Sequence, residues 1–544
     1  LILLGVWMVQ NNRNEQEKKL VQLRKKWGKK QEKRTAREKK EKLEACLRRK
    51  AGENFCVDAI TWNDLDLDAV FDTVDHTVSV CGEEYLYTAL RMPVTTTEIR
   101  EERERLMKLF AENQKAREAV QKALLLMGKE KMNPPTEEIA VLIEAEPGEK
   151  GKYLLMAGIA VLGIGLLFVL PPLGVAVLFA SMVGNGLMHG RESKKLESAL
   201  KAFGCILRLQ RTARELGKEK ISGLEMYQKR LEEQEKQLRP ITKESQGGAA
   251  NMIFAYFRTF FLLDLIEYSS VVSGVKSYEK AILQMAEDLG LLDFALSAAS
   301  YRESLSYYCR PEFLDEKKAG CRIDAEELYH PLLTHPVANS LYAEGGILLT
   351  GSNASGKSTF MKNMAVNAIL AQALNTSLSK RYRGVVCRIM TSMALRDNLA
   401  QGESYFVVEV KSLKRILEAS REKTPLLCVI DEVLRGTNTT ERIAASESVL
   451  AALRRANVLC LAATHDTELT YLLEDLYTNY HFEEQITAQS ISFPYRLEQG
   501  PARGKNAIAL LGNMGIDEKI VKQAERRAAE FETTGSWEKN KFLR

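Results

Sequence analysis

Residues 351–358 read Gly351-Ser352-Asn353-Ala354-Ser355-Gly356-Lys357-Ser358 and complete the pattern GxxxxGK[ST]. The apolar run 346–350 precedes this motif and predicts a buried strand, and residues 359–374 have the pattern of a helix. In a strand–loop–helix unit of this kind, backbone N–H groups close around phosphate oxygens and the helix dipole favours the bound anion. The stretch therefore predicts a nucleotide-binding α/β domain.

Several residues of this loop are candidates for nucleotide contacts. Lys357 is expected to reach the β- and γ-phosphates, and Ser358 is expected to place its hydroxyl on Mg²⁺. The candidate cofactor-binding residues taken from the motif are Gly351, Ser355, Gly356, Lys357, Ser358 and Thr359. The predicted cofactors are ATP and Mg²⁺.

A second apolar run, residues 425–430, ends in the carboxylates Asp431 and Glu432. Asp431 is expected to hold Mg²⁺, and Glu432 is expected to polarise the attacking water. A third apolar run, Val458 to Ala463, leads to His465. A lone histidine after a strand is usually structural, but after these two motifs His465 becomes a candidate γ-phosphate sensor.

Five stretches in order resemble the MutS family. Asp431 to Thr439 looks like its DE-x-x-RGT-x-T stretch, and Ala463 to Leu469 looks like its ATH-x-x-EL stretch. Asp397 to Phe406 is similar to its D-x-L-x-x-G-x-S-x-F stretch. The segments 329–339 and 495–524 resemble the opening and closing parts of its ATPase domain.

The resemblance implies a dimer with composite ATP sites, in which Ser404 contacts the nucleotide held by the opposite subunit. It adds Asn353 to the phosphate-binding residues and makes Glu432, His465 and Ser404 the catalytic set. It also implies a homodimer, DNA binding and a repair or recombination protein as partner. One departure is Pro336, which stands where the family usually has an aromatic residue that stacks on adenine.

The N-terminal side departs further from mismatch-reading MutS proteins, which begin with a mismatch-binding and a connector domain of together about 250 residues. About 60 residues precede the core-like segment here, too few for one such domain. We therefore expect a MutS-like protein that lacks both domains and does not read mismatches directly.

Two uncharged apolar runs, 153–170 and 173–188, are separated by Pro171-Pro172. The first is long enough for about one hydrocarbon thickness, and the prolines would break a helix. This pattern predicts a transmembrane helical hairpin; the alternative is a buried helical hairpin in a soluble domain. Residues 1–9 are also apolar and are predicted to be the end of a membrane helix.

A basic arm follows, because residues 11–50 contain 17 Lys or Arg and 6 Asp or Glu. The positive-inside rule then predicts a cell-membrane protein whose ATPase domain faces the cytoplasm. The arm is suited to an anionic membrane surface, and nucleic acid is the second possible partner. The whole chain has a net charge of only +5, so the remainder is slightly acidic.

Cysteine and histidine spacing adds little. The nine cysteines form no C-x-x-C pair, which fits reduced core residues, and the six histidines have no metal-ligand spacing. Mg²⁺ is thus the expected metal.

The predicted fold class is multidomain α and α/β, with a helical MutS core and lever region that contains the hairpin, followed by a P-loop α/β ATPase domain. The expected segments are a membrane-helix end at 1–9, a basic juxtamembrane helix at 10–50, a core-like helical region at 51–150, the hairpin at 151–190, a lever-like helical region at 191–315, the ATPase domain at 316–500 and a helical dimerisation segment at 501–544.

The function predicted from these observations is that of a membrane-anchored MutS-like ATPase with ATP-dependent DNA binding related to mismatch repair or recombination. The alternative is an ATP-driven membrane switch or scaffold that acts on a protein partner without DNA.

Overall fold

The structure is a computed structural model that describes residues 15–31, 35–52, 54–130, 132–244, 258–315, 320–352, 355–393, 405–434, 437–486, 491–502, 508, 511–512 and 515–537. The chain forms two compact units. The first contains Leu1–Glu53, Asp72–Ala89 and Glu101–Ser304, and the second contains Asn54–Phe71, Leu90–Arg100 and Leu305–Arg544. The first unit is helical and the second is α/β, which confirms the mixed fold class. The seven segment boundaries drawn from the sequence stay predictions.

The helices that the structure describes are, in chain order, α1 (15–26), α2 (Arg37–Ala51), α3 (Ala59–Asp64), α4 (Leu67–Val74), α5 (Val80–Arg91), α6 (Thr97–Glu112), α7 (Gln114–Leu124), α8 (Pro135–Glu144), α9 (Lys150–Val169), α10 (Pro171–Leu216), α11 (Glu225–Glu244), α12 (Leu263–Glu303), α13 (Lys357–Leu374), α14 (Tyr405–Ala419), α15 (Thr439–Ala452), α16 (Glu468–Leu472) and α17 (Glu518–Thr534).

The strands are β1 (Glu312–Phe313), β2 (Arg322–Leu328), β3 (Asn339–Glu344), β4 (Gly346–Thr350), β5 (Arg381–Gly384), β6 (Arg388–Ser392), β7 (Leu426–Asp431), β8 (Val458–Ala463), β9 (Tyr477–Phe482), β10 (Gln485–Ile486), β11 (Ile491–Ser492) and β12 (Leu497–Gln499). β4, β7 and β8 confirm the three strands predicted from apolar runs.

A six-stranded sheet with the order β12-β9-β4-β8-β7-β6 organises the second unit. All its pairings are parallel except β12 with β9. Every residue of β4, β7 and β8 is buried, as expected for strands covered on both faces. Helix α13 follows β4 and is itself almost wholly buried. A smaller sheet, in the order β1-β5-β2-β3, belongs to the same unit.

The short helix α3 lies far from this sheet in sequence but is bonded to its β6 edge. Asp64 accepts hydrogen bonds from Thr391 Oγ1 at 2.6 Å and from the Met393 N–H at 3.0 Å. Arg415 on α14 pairs with Asp58 at the start of α3, and burial lowers the pKa of Arg415 to about 10. Residues 54–71 thus form part of the α/β unit.

In the helical unit, the carboxylate of Asp293 on α12 is fully buried. It accepts hydrogen bonds from the Ser79 N–H at 2.7 Å, from Ser79 Oγ at 2.6 Å and from the Val78 N–H at 3.0 Å. Burial raises the pKa of Asp293 to about 6. A Cβ on Gly82 would lie 2.3 Å from an Asp293 oxygen, so a glycine is needed for α5 to pass this close to α12.

Helices α9 and α10 form a hairpin that turns at Leu170, directly before Pro171. Both helices are long and apolar enough to cross a membrane by length and composition. Only 22% and 17% of the residues in their most apolar windows are buried, whereas the core helix of a soluble protein would bury most of such a window. A Cβ on Gly174 would lie 2.6 Å from the Leu167 backbone nitrogen, so the two helices make close backbone contact at the turn.

Candidate functional site

The phosphate-binding motif begins directly after Thr350, the last residue of β4. Gly351 and Gly356 have positive φ angles of 133° and 88°, which side chains rarely tolerate. A Cβ on Gly351 would lie 2.6 Å from the Phe482 carbonyl oxygen. The two glycines therefore let the loop turn tightly at the carboxyl end of the sheet.

Side chains within the loop hold its shape. Lys357 is 3% exposed, and its Nζ donates to the carbonyl oxygens of Gly351 at 2.9 Å and of Ser352 at 3.2 Å. Ser355 Oγ donates to the Ser352 carbonyl oxygen at 2.7 Å, so this residue closes the loop through its hydroxyl. Thr359 is exposed in the first turn of α13.

The two predicted Mg²⁺ ligands come together from distant parts of the sequence. Ser358 Oγ donates to Asp431 Oδ2 at 2.5 Å. Ser358 is the second residue of the helix after β4, and Asp431 ends β7, so both oxygens lie at the carboxyl edge of the sheet. A hydroxyl and a carboxylate form the kind of oxygen donor set that Mg²⁺ accepts alongside phosphate oxygens and water.

The two predicted catalytic side chains next to them are also in contact. His465 Nε2 lies 2.9 Å from Glu432 Oε1. The Glu432 N–H donates to the Ala463 carbonyl oxygen at 3.0 Å, which ties the end of β7 to the end of β8. Glu432 has a positive φ of 62°. This turn aims its carboxylate at the histidine that follows β8.

An ion pair fixes the segment that carries His465. Arg442 on α15 donates to both carboxylate oxygens of Asp466, at 2.9 and 2.6 Å. The hydrogen bond with Asp466 raises the pKa of Arg442 further above its ordinary value. This bidentate pair restricts the backbone next to His465.

Two predicted site residues, Ser404 and Asn353, lie outside the described residues. Their roles stay predictions. The remaining candidates, from Gly351 to Glu432 and His465, lie together at one edge of the sheet.

Glu409 is a positioning candidate that the motif search did not single out. It is 2% exposed on α14, and its Oε1 accepts a hydrogen bond from the Leu434 N–H at 2.5 Å. Leu434 has a positive φ of 57° two residues after Glu432, so Glu409 holds the turn that sets the direction of Glu432. The only signal in the sequence was a single acidic residue on an otherwise apolar stretch of α14.

Tyr495, in the segment just before β12, brings an aromatic ring to the loop. A Cβ on Gly356 would lie 2.6 Å from a Tyr495 ring carbon. Its carbonyl oxygen accepts from Asn339 Nδ2 at 3.0 Å, and its ring stacks with Phe493 at a centroid distance of 6.1 Å. An aromatic ring therefore lies beside the phosphate loop.

A parallel sheet whose buried central strand leads into a GxxxxGKS loop, with Asp431 and Glu432 at the end of β7 two strands away, has the arrangement of a P-loop α/β protein. Residues 347–532 match the model of MutS domain V. Together with the relatives described next, this match supports a MutS-family protein.

The chain is 30% identical over 267 residues to the DNA mismatch repair protein MutS of Thermotoga sp. (strain RQ2), which covers 47% of the chain and 33% of that protein. It is 28% identical over 280 residues to the DNA mismatch repair protein MutS of Methanosarcina mazei, and this alignment covers 49% of the chain and 30% of that protein. It is 31% identical over 255 residues to MutS protein homolog 4 of Mus musculus, covering 43% and 26%. The similarity thus spans a third or less of the length of these relatives.

Replacing Glu409 with Ala should lower the turnover number for ATP about tenfold, because the Leu434 N–H loses a charged acceptor, an interaction worth about 1.5–3 kcal/mol. The KM for ATP should change little, since Glu409 is bonded to the turn after β7. Steady-state ATPase assays on the full chain would measure both constants.

The variant Glu409→Gln keeps an oxygen acceptor and should recover part of the lost turnover. Thermal unfolding of both variants would separate a local effect from a loss of fold. Unchanged turnover in a folded Glu409→Ala protein would remove Glu409 from the site.

Proposed function

We propose that this chain is a membrane-anchored, dimeric MutS-like ATPase whose nucleotide state controls DNA binding. The ATPase part of this proposal rests on two contacts at the carboxyl edge of one parallel sheet. Ser358 contacts Asp431, and Glu432 contacts His465. The match of residues 347–532 to MutS domain V and the relatives named as DNA mismatch repair proteins support the DNA part.

In this proposal, the loop 351–358 and the start of α13 bind the phosphates of ATP, and Lys357 turns from the loop carbonyls towards the terminal phosphates. Ser358 and Asp431 would hold Mg²⁺, and the bound ion would neutralise charge that develops on the phosphates. Glu432 accepts a proton from the attacking water. His465, held against Glu432, orients that carboxylate and senses the γ-phosphate. Ser404 would act on the site of the second subunit.

Replacing Glu432 with Gln should leave ATP binding intact and reduce hydrolysis by at least about 100-fold, the usual contribution of a general base. The amide keeps the size of the side chain but cannot take the proton. ATP binding by fluorescence titration and phosphate release by the full-length protein would be measured side by side.

The matched control is Glu418→Gln, an exposed position on α14 whose ion pair with Lys414 is a surface contact at 3.7 Å. Hydrolysis at the wild-type rate by Glu432→Gln would contradict the assignment of the base. Loss of ATP binding in the same variant would contradict the separation of binding from chemistry.

Membrane anchoring rests on the hairpin of α9 and α10, whose apolar side chains are largely exposed in the absence of lipid. The full chain should resist extraction from membranes by alkaline carbonate. The double change Leu162→Lys and Phe179→Lys should release it, because each charge at a helix centre costs about 2.5–3.5 kcal/mol. Membrane fractionation followed by immunoblotting would measure the outcome.

Leu162 and Phe179 are 60% and 64% exposed, so the same changes in a soluble hairpin would alter little. Leu200→Lys is the control, because Leu200 is 60% exposed on the same helix beyond the apolar part. Extraction of the wild-type chain by carbonate would reject membrane anchoring.

DNA binding should depend on nucleotide and on DNA structure. We expect the reconstituted protein to bind mismatched or branched duplexes differently with ATP and with ADP, over a range of salt concentrations. Changing the exposed Lys18, Lys19, Lys25 and Lys26 of α1 to Gln should leave this selectivity intact, while lowering non-specific binding and its salt dependence. Filter binding or fluorescence anisotropy on matched duplexes would measure it.

The charge distribution along the chain favours a second function, that of an ATP-driven membrane switch acting on a protein partner. Residues 11–50 carry a net charge of +11, whereas the whole chain carries +5, so the rest of the protein is net acidic and poorly suited to a phosphate backbone. If DNA binding is identical for every duplex and disappears with the four lysines, the DNA proposal fails. An ATP-driven membrane switch that acts on a protein partner would then be the better description.

A further inference from the structure

Three side chains with metal-ligand chemistry meet on the antiparallel pair β9–β12. His481 lies on β9 directly opposite Glu498 on β12. Glu483 follows two residues after His481, a spacing that places both on one face of an extended chain. One ligand atom from each of the three residues lies within 4.8 Å of the others. The cluster therefore combines an imidazole with two carboxylates.

The imidazole of His481 is already oriented towards the two carboxylates. Its side chain is only 8% exposed, and its Nδ1 lies 2.9 Å from the Gly500 carbonyl oxygen. Because a carbonyl oxygen only accepts hydrogen bonds, Nδ1 carries a proton, and in the neutral ring the lone pair is on Nε2. Metal-binding histidines are usually held in this way, by a hydrogen bond from the other ring nitrogen.

The Nε2 atom has no hydrogen-bond partner in the part of the chain that the structure describes. The nearest carboxylate oxygen, Glu498 Oε2, is 4.0 Å away, which is longer than a hydrogen bond. The nearly buried Nε2 atom of His481 and the carboxylates of Glu483 and Glu498 are all electron-pair donors. They lie close together with no cation among them. This arrangement is unfavourable unless a positive charge lies between them.

We propose that His481, Glu483 and Glu498 bind a divalent transition-metal ion of the Zn²⁺ class, with water completing the coordination. One imidazole and two carboxylates match the ligands that zinc takes at about 2.0–2.2 Å. Glu483 and Glu498 are exposed, so their side chains are free to close on the ion. The mixed nitrogen and oxygen set is less suited to Mg²⁺, which prefers oxygen ligands.

Such an ion would brace the strand that leads into the phosphate loop. His481 is paired in register with Thr350, the last residue of β4. The segment after β12 also contacts Thr350: the Ala502 N–H donates to Thr350 Oγ1 at 2.9 Å. A metal that joins β9 to β12 would therefore hold both neighbours of Thr350. The proposal does not depend on ATP hydrolysis or on DNA binding.

Zinc binding by the full-length, reduced and metal-stripped protein, without nucleotide, would test this site. Competition with a chromophoric chelator should show that the wild-type chain binds one Zn²⁺. The affinity for Zn²⁺ should fall at least about tenfold in both Glu498→Gln and Glu483→Gln, since each change removes a ligand. The matched control Glu474→Gln changes an exposed glutamate before β9 and should bind like the wild type. Equal affinity in all four proteins would overturn the proposal.

Co²⁺ binding identifies the ligands without any measurement of activity. The wild-type protein should show ligand-field bands of a nitrogen and oxygen site, and Glu498→Gln should lose them. Intense thiolate-to-metal bands would assign the ion to cysteines and overturn the proposal. Loss of zinc in Asp431→Asn, with retention in Glu498→Gln, would assign it to the phosphate-loop edge and overturn it equally.

Discussion

Parallel backbone pairing of β4, β8 and β7 is the constraint on which the candidate site depends. Ala463 on β8 is paired with Leu349 on β4 and with Asp431 on β7. Just beyond these pairs, the Thr464 N–H donates to the Leu349 carbonyl oxygen, and the Glu432 N–H donates to the Ala463 carbonyl oxygen. Parallel strands end at the same edge of a sheet, where ligands of open α/β sheets bind. A shift of one residue would turn Asp431 to the opposite face, so the register itself places the acidic groups beside the phosphate loop.

Buried carboxylates that accept backbone hydrogen bonds hold the surrounding elements in both units. Glu409 holds the turn after β7, Asp64 holds the end of β6, and Asp293 holds the start of α5. A buried carboxylate is costly unless its oxygens are bonded, and each of these meets at least one N–H group. Such contacts fix directions more sharply than apolar packing does, because a hydrogen bond depends on angle as well as distance. The same chemistry therefore serves the fold in one unit and the candidate site in the other.

One continuous helix links the apolar hairpin to the charged part of the helical unit. Helix α10 runs for 46 residues from Pro171 to Leu216; its first half is apolar and largely exposed, and its second half buries residues such as Leu209 and Ala213. A helix without an internal break transmits displacement along its axis better than two helices joined by a loop. In the proposed function, this property would connect events at a membrane with the packing of the helical unit.

The sequence by itself determined the phosphate loop, the strands β4, β7 and β8, the acidic pair and the apolar hairpin, because each is a local pattern of residue type and spacing. It also carried the resemblance to the MutS family, through motifs that keep their order. Only the tertiary structure decided that Ser358 meets Asp431, that Glu409 holds the turn after Glu432, that residues 54–71 belong to the α/β unit, and that His481 faces Glu498. These contacts join residues from 17 to more than 300 positions apart. Strand register and the burial of hydrogen-bonded side chains create them, and neither leaves a local pattern in the chain.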